Sequence, residues 1–157
     1  MAAREQDGFV KVRVDIPALS DADAWHDMRV EWLWAESTGV KNHYRIDNNP
    51  FYAYGIAYDD IVEVRRSLFG PRVVNSVVRR GGHSNYRIFF TTDNAAERDG
   101  MLRALVTLGC TYEGMMPTPL FALDVPGGDS RLETVVAVLD ASVDDGLLDY
   151  DEGFRFS

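Results

Sequence analysis

The sequence predicts an α+β protein, in which a small, barrel-like antiparallel β lobe is followed by a ferredoxin-like βαββαβ lobe. Up to about residue 80, short segments of alternating apolar and polar residues are separated by Gly, Pro, Asn and Asp, a pattern typical of a small barrel or curled sheet. Beyond residue 85, two segments carry apolar residues at helical spacing. The resulting order of strand, helix, strand, strand, helix and strand defines the second lobe.

The two lobes are expected at residues 9–80 and 81–157. The boundary, near residues 78–83, has no linker composition, so we expect the lobes to pack as one compact unit.

In the first lobe, the clearest strand prediction covers residues 9–16, where Val10, Val12, Val14 and Ile16 alternate with polar residues before Pro17. Residues 21–30 are polar and fit either a loop or a short helix. Further strands are predicted at residues 31–36, 43–47, 61–64 and 73–78.

In the second lobe, strands are predicted at residues 86–90, 112–116, 120–125, 148–150 and 154–156. Asn94 with Glu97 predicts a capped helix start, and Gly109 predicts its end. Ser130 with Glu133 predicts a second capping box, and Gly146 the end of that helix.

Composition limits the function classes. The net charge of -9 and the pI near 4.7 argue against general nucleic-acid binding, so no strong nucleic-acid partner is expected. No apolar run is long enough to cross a membrane, and the N-terminal residues lack a secretory signal. Cys110, the single cysteine, fits a reducing compartment. We therefore expect a cytoplasmic protein with no membrane partner.

The strongest chemical feature is a basic segment at residues 64–92, which contains no Asp or Glu although the whole chain is acidic. This charge separation indicates a surface that faces an anion, or one that meets the acidic C-terminal residues. Its basic residues are Arg65, Arg66, Arg72, Arg79, Arg80, His83 and Arg87.

Within that segment, Gly81-Gly82-His83-Ser84 is the best candidate site. Consecutive glycines let backbone N–H groups converge on an anion, and a histidine can act as an acid or base near neutral pH. A hairpin turn with solvated arginines explains the same residues. Arg79 and Arg80 flank the turn on one side and Arg87 on the other.

A second candidate is the aromatic segment of residues 44–58, which could line a pocket with Tyr44, Arg45, Asn48 and Tyr54 as contacts. An aromatic barrel core explains it equally well. Trp32 and Trp34 share a strand face and are expected in the core or at the lobe interface, with ligand stacking as the alternative.

The remaining reactive residues give no recognisable site. Cys110 has no activating neighbour in sequence, and the three histidines lack zinc spacing. The acidic C-terminal residues lack the spacing of a calcium loop, and no nucleotide-binding loop or nucleophile motif is present, so we expect no metal and no cofactor. The acidic C-terminal residues fit a solvated helix face and helix end. Alternatively, Asp149, Asp151 and Glu152 could pair across the lobe contact with the central arginines, or mimic a run of phosphates towards a basic partner.

Several strings resemble a bacterial family of domains of unknown function, over about residues 9–153. In the first lobe they are residues 33–36, 44–48, 50–57 and 59–62; in the second they are residues 82–84, 108–110, 112–114, 123–126 and 149–153. This resemblance implies a family without an assigned activity, so no catalytic residue can be transferred from it to this chain. The chain departs from the family pattern at Trp25-His26. Residues 85–153 are also similar to the B-type regulators of ribonuclease E, which implies a similar α+β fold.

The sequence thus predicts a non-catalytic binding or regulatory protein that holds an anionic small molecule or a protein partner on its basic central surface. One alternative is a purely structural or oligomer-forming domain. The other is a small enzyme acting on a metabolite that bears a carboxylate or phosphate. In that enzyme His83 would be the acid or base, Arg79 or Arg87 would hold the substrate, and Tyr44 or Tyr54 would orient it.

Overall fold

The computed structural model describes residues 8–18 and 25–157 of the chain. The chain divides into two compact units, with the boundary in sequence between Gly81 and Gly82. Both sheets are antiparallel apart from one pairing, and the α+β class predicted from the sequence is confirmed.

The first unit is a closed barrel with the strand order β1-β2-β3-β4-β5. Its strands are β1 (Phe9–Asp15), β2 (Val30–Ser37), β3 (His43–Ile46), β4 (Ile61–Arg65) and β5 (Val73–Arg79). Neighbouring strands pair antiparallel, and a short parallel contact between Arg13 of β1 and Val73 of β5 closes the barrel. The barrel-like first lobe is therefore confirmed.

The alternation of apolar and polar residues along each strand determines which side chains form the barrel core. The apolar residues of β1 and β2 meet on the inner face, where Val12 lies opposite Leu33 and Val10 opposite Ala35. This burial of branched side chains is the main stabilising contribution, at about 25 cal/mol per Å² of apolar surface. The polar residues between them face outward.

The second unit has the βαββαβ order, which confirms the ferredoxin-like prediction. Its elements are β6 (His83–Phe90), α1 (Ala95–Thr107), β7 (Thr111–Gly114), β8 (Leu120–Pro126), α2 (Asp129–Asp144) and β9 (Leu148–Phe154). The strands form an antiparallel sheet in the order β7-β8-β6-β9. One sheet face, with Tyr86, Ile88 and Phe90 at its centre, packs with buried residues of both helices.

Two local predictions differ from the structure. The two strands expected at the end of the chain are one strand, β9, which contains a register shift opposite Asn85 and Tyr86. The strand predicted at residues 86–90 begins earlier, at His83. Of the segment predicted as a loop or short helix, residues 21–24 lie outside the described residues, residues 25–29 are not helical, and Val30 begins β2.

The two predicted capping boxes have different outcomes, and the first is only half formed, because the amide of Asn94 donates to Thr92 Oγ1 at 3.2 Å and not to Glu97. Asn94 caps α1, because its Oδ1 accepts hydrogen bonds from the amides of Ala96 (2.9 Å) and Glu97 (3.2 Å). The second box is wrong: the N-cap of α2 is Gly128, which gives no side-chain cap, and Ser130 lies inside the helix. The turn at Gly127, where φ is +85°, starts the helix before Ser130 is reached.

This difference gives a paired test. We expect Asn94→Ala to lower the free energy of unfolding by about 1 kcal/mol, because two amides lose their acceptor. Ser130→Ala should change it by less than about 0.5 kcal/mol. Urea unfolding followed by circular dichroism at the helix band measures both; equal losses would contradict the assigned caps.

Candidate functional site

The basic segment of residues 64–92 does not form one surface of equivalent arginines. Residues 64–81 belong to the barrel unit and residues 82–92 to the second unit. Arg66 and Arg79 are exposed, whereas Arg87 is only 1% exposed. The possible anion contacts must therefore be judged residue by residue.

An open groove with a volume of about 730 Å³ lies on the barrel unit. Its lining comes from β1, β2 and the β4–β5 turn: Val10, Lys11, Trp32, Arg66, Phe69, Gly70, Pro71 and Arg72. Three of these side chains are cationic, two are aromatic and none is acidic. Trp32 is 47% exposed and Phe69 is 94% exposed, so the groove offers both positive charge and ring surface to solvent.

The cations of the groove are held by neighbouring groups. Arg72 donates from Nε to the Tyr44 hydroxyl at 3.2 Å, and its guanidinium lies 5.7 Å from the centre of that ring. Arg66 donates from Nε to the carbonyl of Gly70 at 2.9 Å. Both bonds use Nε, and each restrains its guanidinium. The terminal nitrogens of the two arginines make no hydrogen bond to any of the described residues that line the groove. Such restraint lowers the entropy lost when an anion binds.

The outer face of the β1–β2 pair alternates cations with rings. Lys11 lies opposite Trp34 and its ammonium is 5.2 Å from the ring centre. Arg13 lies opposite Trp32, and its Nε is 3.0 Å from Asp15 Oδ1. The two tryptophans share a face as expected, but it is the outer face of the barrel, so neither belongs to the barrel core.

Among the predicted contacts, Arg80 has a structural partner. Its NH1 donates to the carbonyl of Gly55 at 2.8 Å and to Asp60 Oδ2 at 2.9 Å. Asp60 is fully buried, and its carboxylate also accepts from the amides of Ala57 and Gly81, each at 2.9 Å. Arg80 therefore neutralises a buried carboxylate and helps to fix the loop before β4.

Arg79 ends β5, where it pairs with Ile61 of β4. Its side chain is exposed, so of the arginines at residues 79, 80 and 87 it is the one best placed to meet a solvent-borne anion.

Tyr44 and Arg45 are consecutive in β3 and lie on opposite faces. Tyr44 holds Arg72 of the groove, so one predicted residue does support the cationic surface. Arg45 instead lies 3.2 Å from Asp59 Oδ1, in an ion pair whose members are both well exposed. Such exposed pairs contribute little to stability.

Asn48 and Tyr54 hold the loop between β3 and β4. Asn48 Oδ1 accepts from the amide of Trp34 at 2.7 Å, and the Tyr54 hydroxyl accepts from Trp25 Nε1 at 3.1 Å. These contacts give both residues a structural role in the barrel unit.

The same loop is bound by a carboxylate that sequence reasoning did not single out. Glu31 accepts hydrogen bonds from three consecutive amides, those of Phe51 (2.6 Å), Tyr52 (2.9 Å) and Ala53 (2.7 Å). It is 9% exposed. The available signal was the alternation of β2, which places Glu31 on the inner face with Leu33.

The Gly81–Ser84 segment leads into β6, which starts at His83, and it is not a hairpin tip. Gly82, with φ at +87°, accepts through its carbonyl from the amide of Gly127 at 3.0 Å. Ser84 is fully buried, and its Oγ accepts from the amide of Phe156 at 2.9 Å. Ser84 is thus a structural residue, and His83 is the member of this segment whose side chain is of a type that can act as an acid or base.

His83 is oriented by a carboxylate. Its Nδ1 lies 2.8 Å from Asp124 Oδ1, and the other carboxylate oxygen accepts from the Thr111 hydroxyl at 3.4 Å. The side chain of His83 is 18% exposed and that of Asp124 is 6% exposed. Cys110 is not a partner nucleophile, since burial and the charge of Asp124 raise the pKa of its thiol to about 11.

Arg87 cannot hold a ligand on an open surface, because it is 1% exposed at the centre of the sheet. Its NH1 is 3.7 Å from Asp151 Oδ2 on the adjacent strand β9. A Cβ added to Gly153 would stand 2.6 Å from the guanidinium carbon and 2.3 Å from Asn85 Oδ1. The glycine therefore gives this buried cation its space.

Other acidic residues near the C-terminus also have internal partners. Glu152 accepts from the Tyr86 hydroxyl at 2.9 Å, and burial together with this bond raises the pKa of Tyr86. Asp140 accepts from the Tyr150 hydroxyl, which with burial raises the pKa of Tyr150 to about 12. One acid does pair with a central arginine, Asp151 with Arg87, but the pair lies between adjacent strands of one sheet and is not the pair across the lobe contact that the sequence suggested.

Among residues 8–18 and 25–157, no group of three His, Cys, Asp or Glu side chains is arranged to hold a metal ion. In the same residues, no helix has both the length and the apolar character needed to cross a membrane.

The architecture and the groove define a class: a two-unit α+β protein with a cationic and aromatic surface on its barrel. The chain belongs to the family DUF4265, a domain of unknown function, whose model matches residues 31–150. This confirms the resemblance to a domain-of-unknown-function family. No curated protein matches the chain significantly, so the similarity to regulators of ribonuclease E stays a prediction.

A solved structure has the same fold. It is described as a novel crystal structure of a hypothetical protein from Neisseria gonorrhoeae, and it matches with a TM-score of 0.71 and 14% sequence identity. The match covers 94% of this chain and 96% of that chain. At this identity the likeness concerns the fold alone.

Proposed function

We propose that this is a non-catalytic binding or regulatory protein of the bacterial cytoplasm, which holds an anionic ligand, free or displayed by a protein partner, in the groove of its barrel unit. The observation that carries the proposal is the lining of the groove, where Lys11, Arg66 and Arg72 stand together without an acidic residue. In a chain with a net charge of -9, such a grouping is the feature most in need of a functional reason.

The proposal assigns anion binding to Arg66 and Arg72 of the groove, and no longer to Arg80 and Arg87, which the sequence had singled out. Arg80 and Arg87 are engaged with Asp60 and Asp151, so a ligand would have to displace those pairs. Arg66 and Arg72 come from the same basic segment, but they project into a groove. Tyr44 contributes indirectly, by holding Arg72.

A thermal-shift titration with inorganic tripolyphosphate tests this proposal. A ligand present at about one hundred times its dissociation constant adds about 2.7 kcal/mol of stability, which raises the melting temperature measurably. We expect that rise in the wild type and its loss in the double variant Arg66→Glu, Arg72→Glu.

Two single variants serve as controls. Lys41→Glu makes a charge reversal at an exposed position outside the groove and should keep the rise. Arg79→Glu separates the two candidate surfaces: a rise lost there and kept in the groove variant would place the anion at the end of β5 and contradict the proposal.

A second function has support from one observation, the His83–Asp124 contact. A carboxylate hydrogen-bonded to Nδ1 fixes the orientation of the imidazole, which suits a general acid or base. In this alternative the protein is a small enzyme acting on a carboxylate- or phosphate-bearing metabolite.

Turnover of a panel of phosphate esters and carboxylate esters, measured from pH 5 to 9, tests the enzyme alternative. Activity that is lost in both His83→Asn and Asp124→Asn, with both variants folded, would support it. Unchanged activity in His83→Asn would rule out the enzyme alternative.

A further inference from the structure

The groove contains a feature that an anion alone does not require. Trp32 is 47% exposed among the cations, although its neighbours in β2, Leu33 and Glu31, are buried. Phe69, on the β4–β5 turn that borders the same groove, is 94% exposed. Large aromatic surfaces left in water are characteristic of binding sites.

The β1–β2 register decides which ring is accessible. Trp34 is already covered by the ammonium of Lys11, which stands 5.2 Å from the ring centre. Arg13, the cross-strand neighbour of Trp32, is directed to Asp15 by an ion pair of 3.0 Å. Trp32 is therefore the ring that remains open to a planar ligand, and it lines the groove with three cations.

Resting on the proposed function, we infer that the anionic ligand of this groove is a nucleotide, free or within a short single strand. Its base stacks on the ring of Trp32, and its phosphate groups bind Lys11, Arg66 and Arg72. Stacking of a base on an aromatic side chain combined with phosphate binding by cations is the mode by which proteins hold single-stranded nucleic acid.

Size and charge favour a short ligand. A volume of about 730 Å³ lies within the range of pockets that hold one small molecule. Residues 82–157 carry 13 Asp and Glu against five Lys and Arg, which repels a long polyanion from the chain as a whole. The groove thus fits one or a few nucleotides, in keeping with the absence of a general nucleic-acid signal in the composition.

Isothermal titration of the full chain with four probes separates the contributions of base and phosphate. The probes are adenosine triphosphate, adenosine, inorganic tripolyphosphate and a six-nucleotide oligothymidylate, all without magnesium. We expect the triphosphate nucleotide to bind about tenfold more tightly than tripolyphosphate, because a stacked base adds on the order of one tenfold step in affinity. Tighter binding of the oligothymidylate than of the mononucleotide would assign the ligand to a strand, and the reverse to a free nucleotide.

Variants at position 32 test the stack itself. Trp32→Ala should weaken nucleotide binding about tenfold and leave tripolyphosphate binding unchanged, whereas Trp32→Phe should restore most of the loss. Because Trp32 is an outward residue, both variants are expected to fold, which circular dichroism checks.

The inference and the proposed function fail in different ways. If tripolyphosphate binds as tightly as the nucleotide, or Trp32→Ala weakens both equally, the nucleotide is excluded and the anion site stands. A polyglutamate peptide is titrated in the same way as a comparison. If it binds more tightly than either the nucleotide or tripolyphosphate and its binding is insensitive to Trp32→Ala, the ligand is an acidic protein segment and the inference is overturned. If no probe binds, the proposed function fails as well.

Discussion

Asp60→Asn should lower the free energy of unfolding of the barrel unit by about 3 kcal/mol or more. Asp60 is fully buried, and its carboxylate accepts from the amides of Ala57 and Gly81 and from Arg80 NH1. The asparagine side chain lacks the negative charge that pairs with Arg80. Its NH2 group would also face a hydrogen-bond donor at a position where the carboxylate oxygen accepted a bond. The change therefore leaves donors without partners inside the protein.

Tryptophan fluorescence during urea unfolding measures this effect selectively, because all three tryptophans of the chain lie in the barrel unit. Arg80→Gln should cost less than Asp60→Asn, since the side chain of Arg80 is 35% exposed and the two amides still hold the carboxylate. Glu36→Gln, at an exposed position, should stay within about 0.5 kcal/mol of the wild type. A loss below that same value for Asp60→Asn would show that the buried carboxylate is not needed for stability.

Asp60 illustrates which parts of the molecule sequence patterns can reach. Alternation over Val10, Val12 and Val14 predicted β1 because a side-chain period of two is a local property of a strand. The role of Asp60 depends on Arg80 and Gly81, some twenty residues later in the chain, and no local pattern announces it.

The groove was foreseeable only in part. The excess of arginine between residues 64 and 92 pointed to the segment that supplies Arg66 and Arg72. Sequence alone could not add Lys11 and Trp32, because they join the groove through the strand arrangement of the closed barrel. The burial of Arg87 could not be predicted either. Alternation assumes that one face of a strand is exposed, whereas β6 is buried on both faces from Ser84 to Ile88.

Caps were predicted where a short motif determines them and missed where a competing turn does. Asn94 needed only its own oxygen and the next amides of the chain. At α2 the glycine at position 127 has already turned the chain, so the helix begins before Ser130. The physical difference is that the cap of α1 is formed by residues adjacent in sequence, whereas the start of α2 is set by the turn that follows β8.

Glu31→Gln is the second change with a large expected effect, a loss of about 2–4 kcal/mol in the free energy of unfolding of the barrel unit. The carboxylate of Glu31 is the acceptor for three consecutive amides, and glutamine can replace one oxygen only while placing an NH2 group against the remaining donors. Hydrogen exchange at Phe51, Tyr52 and Ala53 should accelerate, because these amides lose their acceptor.

Glu36→Gln again provides the matched control, since Glu36 lies on the same strand but is exposed. Unchanged exchange at residues 51–53 in Glu31→Gln would contradict the assignment of Glu31 as the residue that orders this loop.

The loop between β3 and β4 is thus held at both ends, by Glu31 at residues 51–53 and by Asp60 with Arg80 at residues 55–57. If one contact is lost, part of the benefit of the other is lost too, because both order the same loop. The double variant Glu31→Gln, Asp60→Asn should therefore be more stable than the sum of the single losses predicts, by about 0.5–3 kcal/mol. Strict additivity would mean that the two carboxylates hold independent pieces of chain, and that the loop is not one cooperative element.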